Sequence, residues 1–143
     1  MLTARTQDLE LGDAFIASDP ERGRVHPAFP INEHTGAAGS GVVYFEVEPG
    51  QYLPTHTDSP EEVLYVVAGI GEAHVGDEHA IVSAGDLAVV PSMVPHGIRN
   101  IGTTTLKVVG FFASAHIVSE FEEPLQPMNQ SVLELGASAP AAV

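Results

Sequence analysis

Glycine and proline interrupt this chain so often that no long helix fits between them, with 14 glycines and 11 prolines among 143 residues. The segments they bound are short and rich in Val, Ile, Tyr and Phe, the pattern of an all-β barrel or sandwich. That spacing predicts strands over Val42 to Glu48, Glu62 to Val67, Glu72 to Val75, Ala80 to Val82, Leu87 to Val90, Gly97 to Asn100 and Thr104 to Phe112, with a weaker one over His116 to Glu120. Short strands in that number suit an antiparallel jelly-roll β-barrel. Reversals are expected at Glu48-Pro49-Gly50, Ala68 to Gly71, Gly76-Asp77-Glu78 and Ala84-Gly85-Asp86, where Gly or Pro supplies the backbone angles a turn needs.

A chain of this length fits one domain, and 44% apolar residues can fill a core. Residues 1–40 contain Pro20, Pro27 and Pro30 and a Gly/Ala-rich stretch from Gly36 to Gly41, and are read as an arm with an edge or swapped strand over Val25 to Ile31. Residues 41–120 are read as the barrel and 121–143 as a C-terminal extension. In that extension Asn129 to Leu135 is expected to form one or two helical turns and Ala137 to Val143 a frayed tail. The apolar, β-rich arm points to pairing with a neighbouring subunit, hence to a homodimer.

Charge narrows the partners. Nineteen acidic residues against five basic ones give a net charge of −14, which repels phosphate backbones and anionic lipid headgroups. Neither nucleic acid nor membrane is expected as a partner. No apolar run approaches the roughly 20 residues that span a bilayer, and the N-terminus is acidic and broken, so a cytoplasmic protein is expected. With no cysteine, any metal would be held by His, Asp and Glu.

The chemistry concentrates in two stretches. In the first, His56 and Asp58 are two residues apart and share one face of an extended segment. After Ser59-Pro60 the chain resumes with Glu62, Leu64 and Val66 on one face and Glu61, Val63 and Tyr65 on the other. In the second, a proline-bounded turn through Met93 and Pro95 precedes His96, which shares a face with Ile98. Two imidazoles and one or two carboxylates converging from separate strands would form a mixed N/O site for one divalent transition metal ion, Fe, Mn, Ni, Co or Zn.

These stretches resemble the two motifs of the cupin superfamily. The first motif is matched at Gly50, His56, Glu62 and Gly69 and the second at Gly85, Pro91, His96 and Asn100, with the resemblance spanning Gly41 to Phe112. Two positions depart: Asp58 stands where the family has its second histidine, and Met93 where it has glycine. The resemblance implies a conical barrel in which His56, Glu62 and His96 bind metal. Asp58 then stands as a fourth ligand, a ligand through water, or a base beside the metal, with a turn-capping aspartate as the ordinary alternative.

The resemblance further implies a metal-dependent enzyme acting on a small oxygen-bearing organic molecule. Dioxygenase-type oxidation is the first reading, with Asp58 or Glu62 removing the substrate proton. Non-redox isomerisation, polyketide cyclisation or elimination is the alternative, and a non-catalytic small-molecule-binding barrel the third. Outside the motifs, His74 is read as either lining the cavity or lying exposed, and His116 as reaching towards the barrel mouth. His34 has no assigned role, and His26 and His79 are read as surface residues. Tyr44, Phe45, Tyr52, Phe111 and Phe112 are candidates for an aromatic wall, and Arg99 for a pair with a surface acid.

Overall fold

Short extended segments dominate the computed structural model, which describes residues 1–136; the tail expected over 137–143 lies outside the described residues. Twelve strands follow in order: β1 (Ala14–Ile16), β2 (Arg24–Ile31), β3 (Gly41–Val47), β4 (Tyr52–Asp58), β5 (Glu62–Ala68), β6 (Ile70–Val75), β7 (Glu78–Ser83), β8 (Leu87–Val90), β9 (His96–Asn100), β10 (Leu106–Phe112), β11 (Ile117–Gln126) and β12 (Gln130–Leu135). They hydrogen-bond in the order β7-β6-β9-β4-β11-β1-β2-β3-β10-β5-β8, with β12 added to β11. Neighbouring strands run antiparallel, and the sheet curls until β7 meets β5, giving a nearly closed jelly-roll barrel. Among the described residues no helix is long and apolar enough to cross a membrane.

The expected barrel strands are present, and the differences trace largely to proline. Pro30, Pro54 and Pro124 lie inside β2, β4 and β11, each at a break in register between Ala28 and Ile31, Leu53 and His56, or Glu120 and Leu125. A proline cannot donate to the ladder, so it is accommodated where pairing is already interrupted. Punctuation therefore ends strands in the sequence that continue in space, and β11 runs on to Gln126 instead of stopping at Glu120.

Two expectations are corrected. Gln130 to Leu135 is a strand, not helical turns: half-buried Ser131, Leu133 and Leu135 alternate with exposed Gln130, Val132 and Glu134, and Leu133 and Leu135 sit opposite Ser119 and Ile117. That period of two outweighs the segment's modest helical propensity. The strand near Val25 is not at an edge either, because β2 lies between β1 and β3 of its own chain.

Alternation along the strands builds the interior. Leu64 and Val66 of β5, Leu106 and Val108 of β10 and Val47 of β3 point inwards, and Val47, Leu106 and Val108 have no exposed surface. Each such side chain contributes about 1.5–3 kcal/mol of burial free energy. This packed region, with Ala73, Val82 and Ile98, fills one part of the barrel. Elsewhere the interior opens into a cavity of about 120 Å³ walled by strands from both the N- and C-terminal segments.

Candidate metal centre

The end of β4 and the first residues of β5 and β9 meet at this cavity. His56 and Asp58 project inwards from β4, Glu62 from β5 and His96 from β9, and all four are buried. Asp58 Oδ2 lies 3.5 Å from His56 Nε2 and 3.1 Å from His96 Nε2, while Glu62 Oε1 lies 3.4 Å from His96 Nε2. One ligand atom from each of His56, Asp58 and His96 falls within 4.8 Å of the others; Glu62, expected from the motif as a ligand, touches His96 but lies outside that group.

Backbone contacts set the histidines. Nδ1 of His56 lies 2.9 Å from the Pro54 carbonyl, and Nδ1 of His96 lies 2.9 Å from the Val94 carbonyl. Each Nδ1–H therefore donates to the carbonyl two residues back, which leaves the Nε2 lone pair aimed into the site. The imidazole of His56 is also stacked on Phe121, with centroids 4.5 Å apart and an interplanar angle of 15°. Its other neighbour is the His96 ring, at 4.2 Å.

The carboxylates are held as firmly. Ser119 Oγ donates to Asp58 Oδ1 at 2.5 Å, leaving Oδ2 to face the histidines. Glu62 rests over Gly110 of β10, where a β-carbon would overlap its Oε2. Only a residue without a side chain leaves that room. The turns that present the ligands brace each other: Met93 N donates to Asp58 O at 2.9 Å and Ser92 Oγ to Ser59 O at 2.6 Å.

Met93 itself has φ of +63°, so the position where the motif has glycine keeps glycine's left-handed conformation with a side chain attached. Asn100, the last motif residue, is structural: its side-chain amide donates to Val47 O and Thr104 O at 2.8 Å and its Oδ1 accepts from Gly102 N.

The buried groups of the cluster shift one another's protonation. Burial alone would depress the pKa of His96, yet Asp58 and Glu62 raise it to about 10. Burial would raise the pKa of Asp58, but the adjacent His56 and His96 imidazoles, the charge of His56 and the Ser119 hydroxyl hold it well below the usual carboxylate range. For Glu62 burial dominates, assisted by the charge of Asp58, and its pKa is raised.

Geometry gives the clearer sign: Asp58 Oδ2 and His96 Nε2 are both buried and neither has a hydrogen-bond partner among the described residues, despite lying 3.1 Å apart. Orphaned buried acceptors are costly unless a cation or proton lies among them. Two imidazole nitrogens and the Asp58 carboxylate facing one point fit a divalent transition metal ion, with the Glu62 carboxylate beside His96 but outside that group.

The other candidates are elsewhere. His74 is on the outer face of β6, its Nε2 3.1 Å from Thr55 Oγ1 and its ring 5.9 Å from that of His79. His116 contacts Glu134 at 2.7 Å on the exposed surface, and His34 sits in a short exposed turn. Arg99 pairs with Glu72 at 2.7 Å outside the barrel. Of the proposed aromatic wall, Phe45 and Phe112 line the cavity, whereas Tyr44, Tyr52 and Phe111 do not. Sequence reasoning does not single out Ser119 or Phe121: both lie on β11, on the face of buried Ile117, Ser119 within the expected strand and Phe121 one residue past its expected end, and the alternation Ile117, Ser119, Phe121 is the signal that places them together.

Comparison with known proteins agrees with the geometry. The family model described as "Cupin domain" matches residues 43–112. No match is found among curated proteins. Among solved structures, oxalate decarboxylase from Bacillus subtilis aligns with a TM-score of 0.63 and 23% identity over 71% of this chain, which spans 28% of that larger protein. A protein described as a predicted oxalate decarboxylase from Thermotoga maritima aligns with a TM-score of 0.67 and 20% identity, covering 79% of this chain and 99% of the other. A putative sugar phosphate isomerase from Acidithiobacillus ferrooxidans gives 0.63 and 22%, covering 85% and 80%. With both spaced motifs, the barrel and the family match in agreement, this chain belongs to the cupin family.

Proposed function

We propose that this chain is a metal-dependent enzyme acting on a small oxygen-bearing organic molecule, with His56, Asp58, Glu62 and His96 holding one divalent transition metal ion. The observation that carries the reading is the pair of orphaned buried atoms, Asp58 Oδ2 and His96 Nε2, turned towards a common point on the wall of a cavity. The Bacillus subtilis oxalate decarboxylase of the same fold has Mn(II) centres, which supports Mn as one choice here. When bound, the ion supplies open coordination positions for a substrate oxygen and, for a redox metal, for O₂.

The chain's own residues then do the rest. His56 and His96 keep their Nε2 atoms in place through the Pro54 and Val94 carbonyls, and Ser119 fixes the orientation of Asp58. Asp58 and Glu62 are the groups within reach to take a proton from a substrate hydroxyl. Apolar walls including Phe45, Phe112, Ile117 and Phe121 exclude water from the reacting centre. We read the reaction first as dioxygenase-type oxidation. The raised proton affinity of Glu62 favours a second reading, a proton-shuttling isomerase, cyclase or lyase, because such a carboxyl can return the proton it takes.

Metal analysis of purified protein followed by oxygen-electrode traces with catechol, flavonol and β-diketone substrates separates the readings. Metal-dependent oxygen uptake is the expected result. Turnover without oxygen uptake favours the second reading, and a metal-free chain with full stability overturns both.

A further inference from the structure

We propose that the cavity takes an uncharged molecule with an apolar body about one ring in size and a hydroxyl or enolisable carbonyl at its metal-facing end, and that it rejects dianions and phosphate esters. The proposal rests on the metal reading above and adds the substrate class.

The lining carries it. Apart from His56, Asp58, Glu62 and His96, the only polar side chain on the cavity wall among the described residues is Ser119, whose hydroxyl is committed to Asp58. The rest is aliphatic or aromatic, including Val25, Phe45, Leu125 and Leu133.

All five basic side chains are accounted for outside. Arg5 and Arg22 are exposed beside Asp8 and Asp19, Arg24 is held by Asp13 and the Pro20 carbonyl, and Arg99 by Glu72. Lys107 alternates outwards on β10 between buried Leu106 and Val108.

Charge accounting turns this lining into selectivity. A neutral hydroxyl or enol brings no charge into the chamber, and when its O–H bond breaks the proton passes to a carboxylate oxygen of Asp58 or Glu62, so the total charge stays the same. A dianion brings two further charges into an apolar chamber with no guanidinium or ammonium to receive them, and burying an unpaired charge is strongly unfavourable.

Approach adds to the discrimination, because the groove beside the mouth carries Glu10 and the whole chain has a net charge of −14. The oxalate decarboxylases and the putative sugar phosphate isomerase that share this fold are named for anionic compounds. This chamber lacks the cationic side chain such compounds call for.

Size sets the body. The cavity of about 120 Å³ is close to the roughly 150 Å³ that accommodates benzene in an engineered apolar cavity. A larger molecule extends through the mouth, where Phe29 and Met128 line the cavity and remain 37% and 46% exposed.

The test is calorimetric titration of metal-loaded protein with three probes: 2-hydroxyacetophenone, which is neutral and has one ring; phthalate, a dianion with the same ring; and ribose 5-phosphate. Saturable binding of 2-hydroxyacetophenone is expected, with both anions about 100-fold weaker. Leu133→Arg, which adds a cation to the half-buried wall, is expected to strengthen phthalate binding about tenfold.

Phthalate or ribose 5-phosphate binding as tightly as the neutral ring overturns the proposal. Indole titrated into chelator-stripped protein keeps the two claims apart, since it probes the apolar wall alone. Indole binding in a protein that takes up no metal sinks the metal reading and leaves the apolar chamber standing. Failure of both rings to bind a metal-loaded protein sinks the substrate class and leaves the metal reading standing.

Discussion

Ser119 and Gly110 show how much of a ligand's position is decided by residues that carry no ligand atom. Ser119 gives Asp58 its orientation through one hydrogen bond to Oδ1. Ser119→Ala is therefore expected to weaken metal affinity about 10- to 100-fold, the usual effect of removing a group that orients a ligand. It should also cost about 1–3 kcal/mol for leaving a buried carboxylate oxygen unsatisfied. Competition with a chromogenic chelator measures the first and urea denaturation the second, and an unchanged affinity would mean Asp58 does not face the ion. Gly110→Ala drives a β-carbon into the space of Glu62 Oε2 and also crowds Val43. Metal affinity should fall while far-UV circular dichroism keeps its β signature; full affinity in that variant would remove Glu62 from the ligand set. The principal site residues were legible because spacing and alternation encode them: His56, Glu62 and His96 sit at motif positions on inward faces. Their supports were not, because Ser119 and Gly110 are ordinary residue types brought in by β11 and β10 from remote points in the sequence.

At the scale of elements, the turn before β9 carries an avoidable cost. Met93 occupies the left-handed region at φ +63°, a conformation that costs a residue with a side chain about 1–2 kcal/mol. Its backbone N–H binds Asp58 O, so the turn that delivers His96 is tied to the strand that delivers His56. Met93→Gly keeps that bond and relieves the strain, so a gain of up to about 1 kcal/mol is expected after the extra freedom of glycine in the unfolded chain is counted. Urea midpoints measure it, and a loss of stability would show that the exposed Met93 side chain makes contacts that matter. Proline explains the other side of legibility at this scale. Strands β5, β8 and β10 were read nearly to the residue because nothing interrupts their pattern. By contrast, β4 and β11 contain prolines that look like terminators in sequence and act as register breaks in the sheet.

Across the whole molecule, one face of the barrel is more apolar than its surroundings require. On the outside of β8, β5, β10 and β3, two cross-strand rows form: Val89, Val63, Phe111 and Val42, and beside them Leu87, Tyr65 and Val109. Leu87 is 68% exposed and Val89 57%. Strands apolar on both faces are the pattern of a sheet covered on both sides, yet within this chain one side is open. We propose this face, not the N-terminal arm, as the interface of the homodimer expected from the sequence, since β2 is already paired within its own chain. It is also a surface on which two copies of a −14 chain can meet with few like charges opposed. Sedimentation velocity should give a dimer for the native chain and a monomer for Leu87→Glu with Val89→Lys; a monomeric native protein at tens of micromolar would reject the assignment.

The four inward side chains, and with them the chemistry assigned to this barrel, stand or fall with the ion. Anomalous diffraction from crystals of the metal-loaded protein, collected on both sides of the metal's absorption edge, locates it directly. One peak per chain is expected at about 2.0–2.2 Å from the Nε2 atoms of His56 and His96 and from a carboxylate oxygen of Asp58 or Glu62. An empty difference map at that point, or a peak only between His74 and His79 on the outer face, would contradict the account.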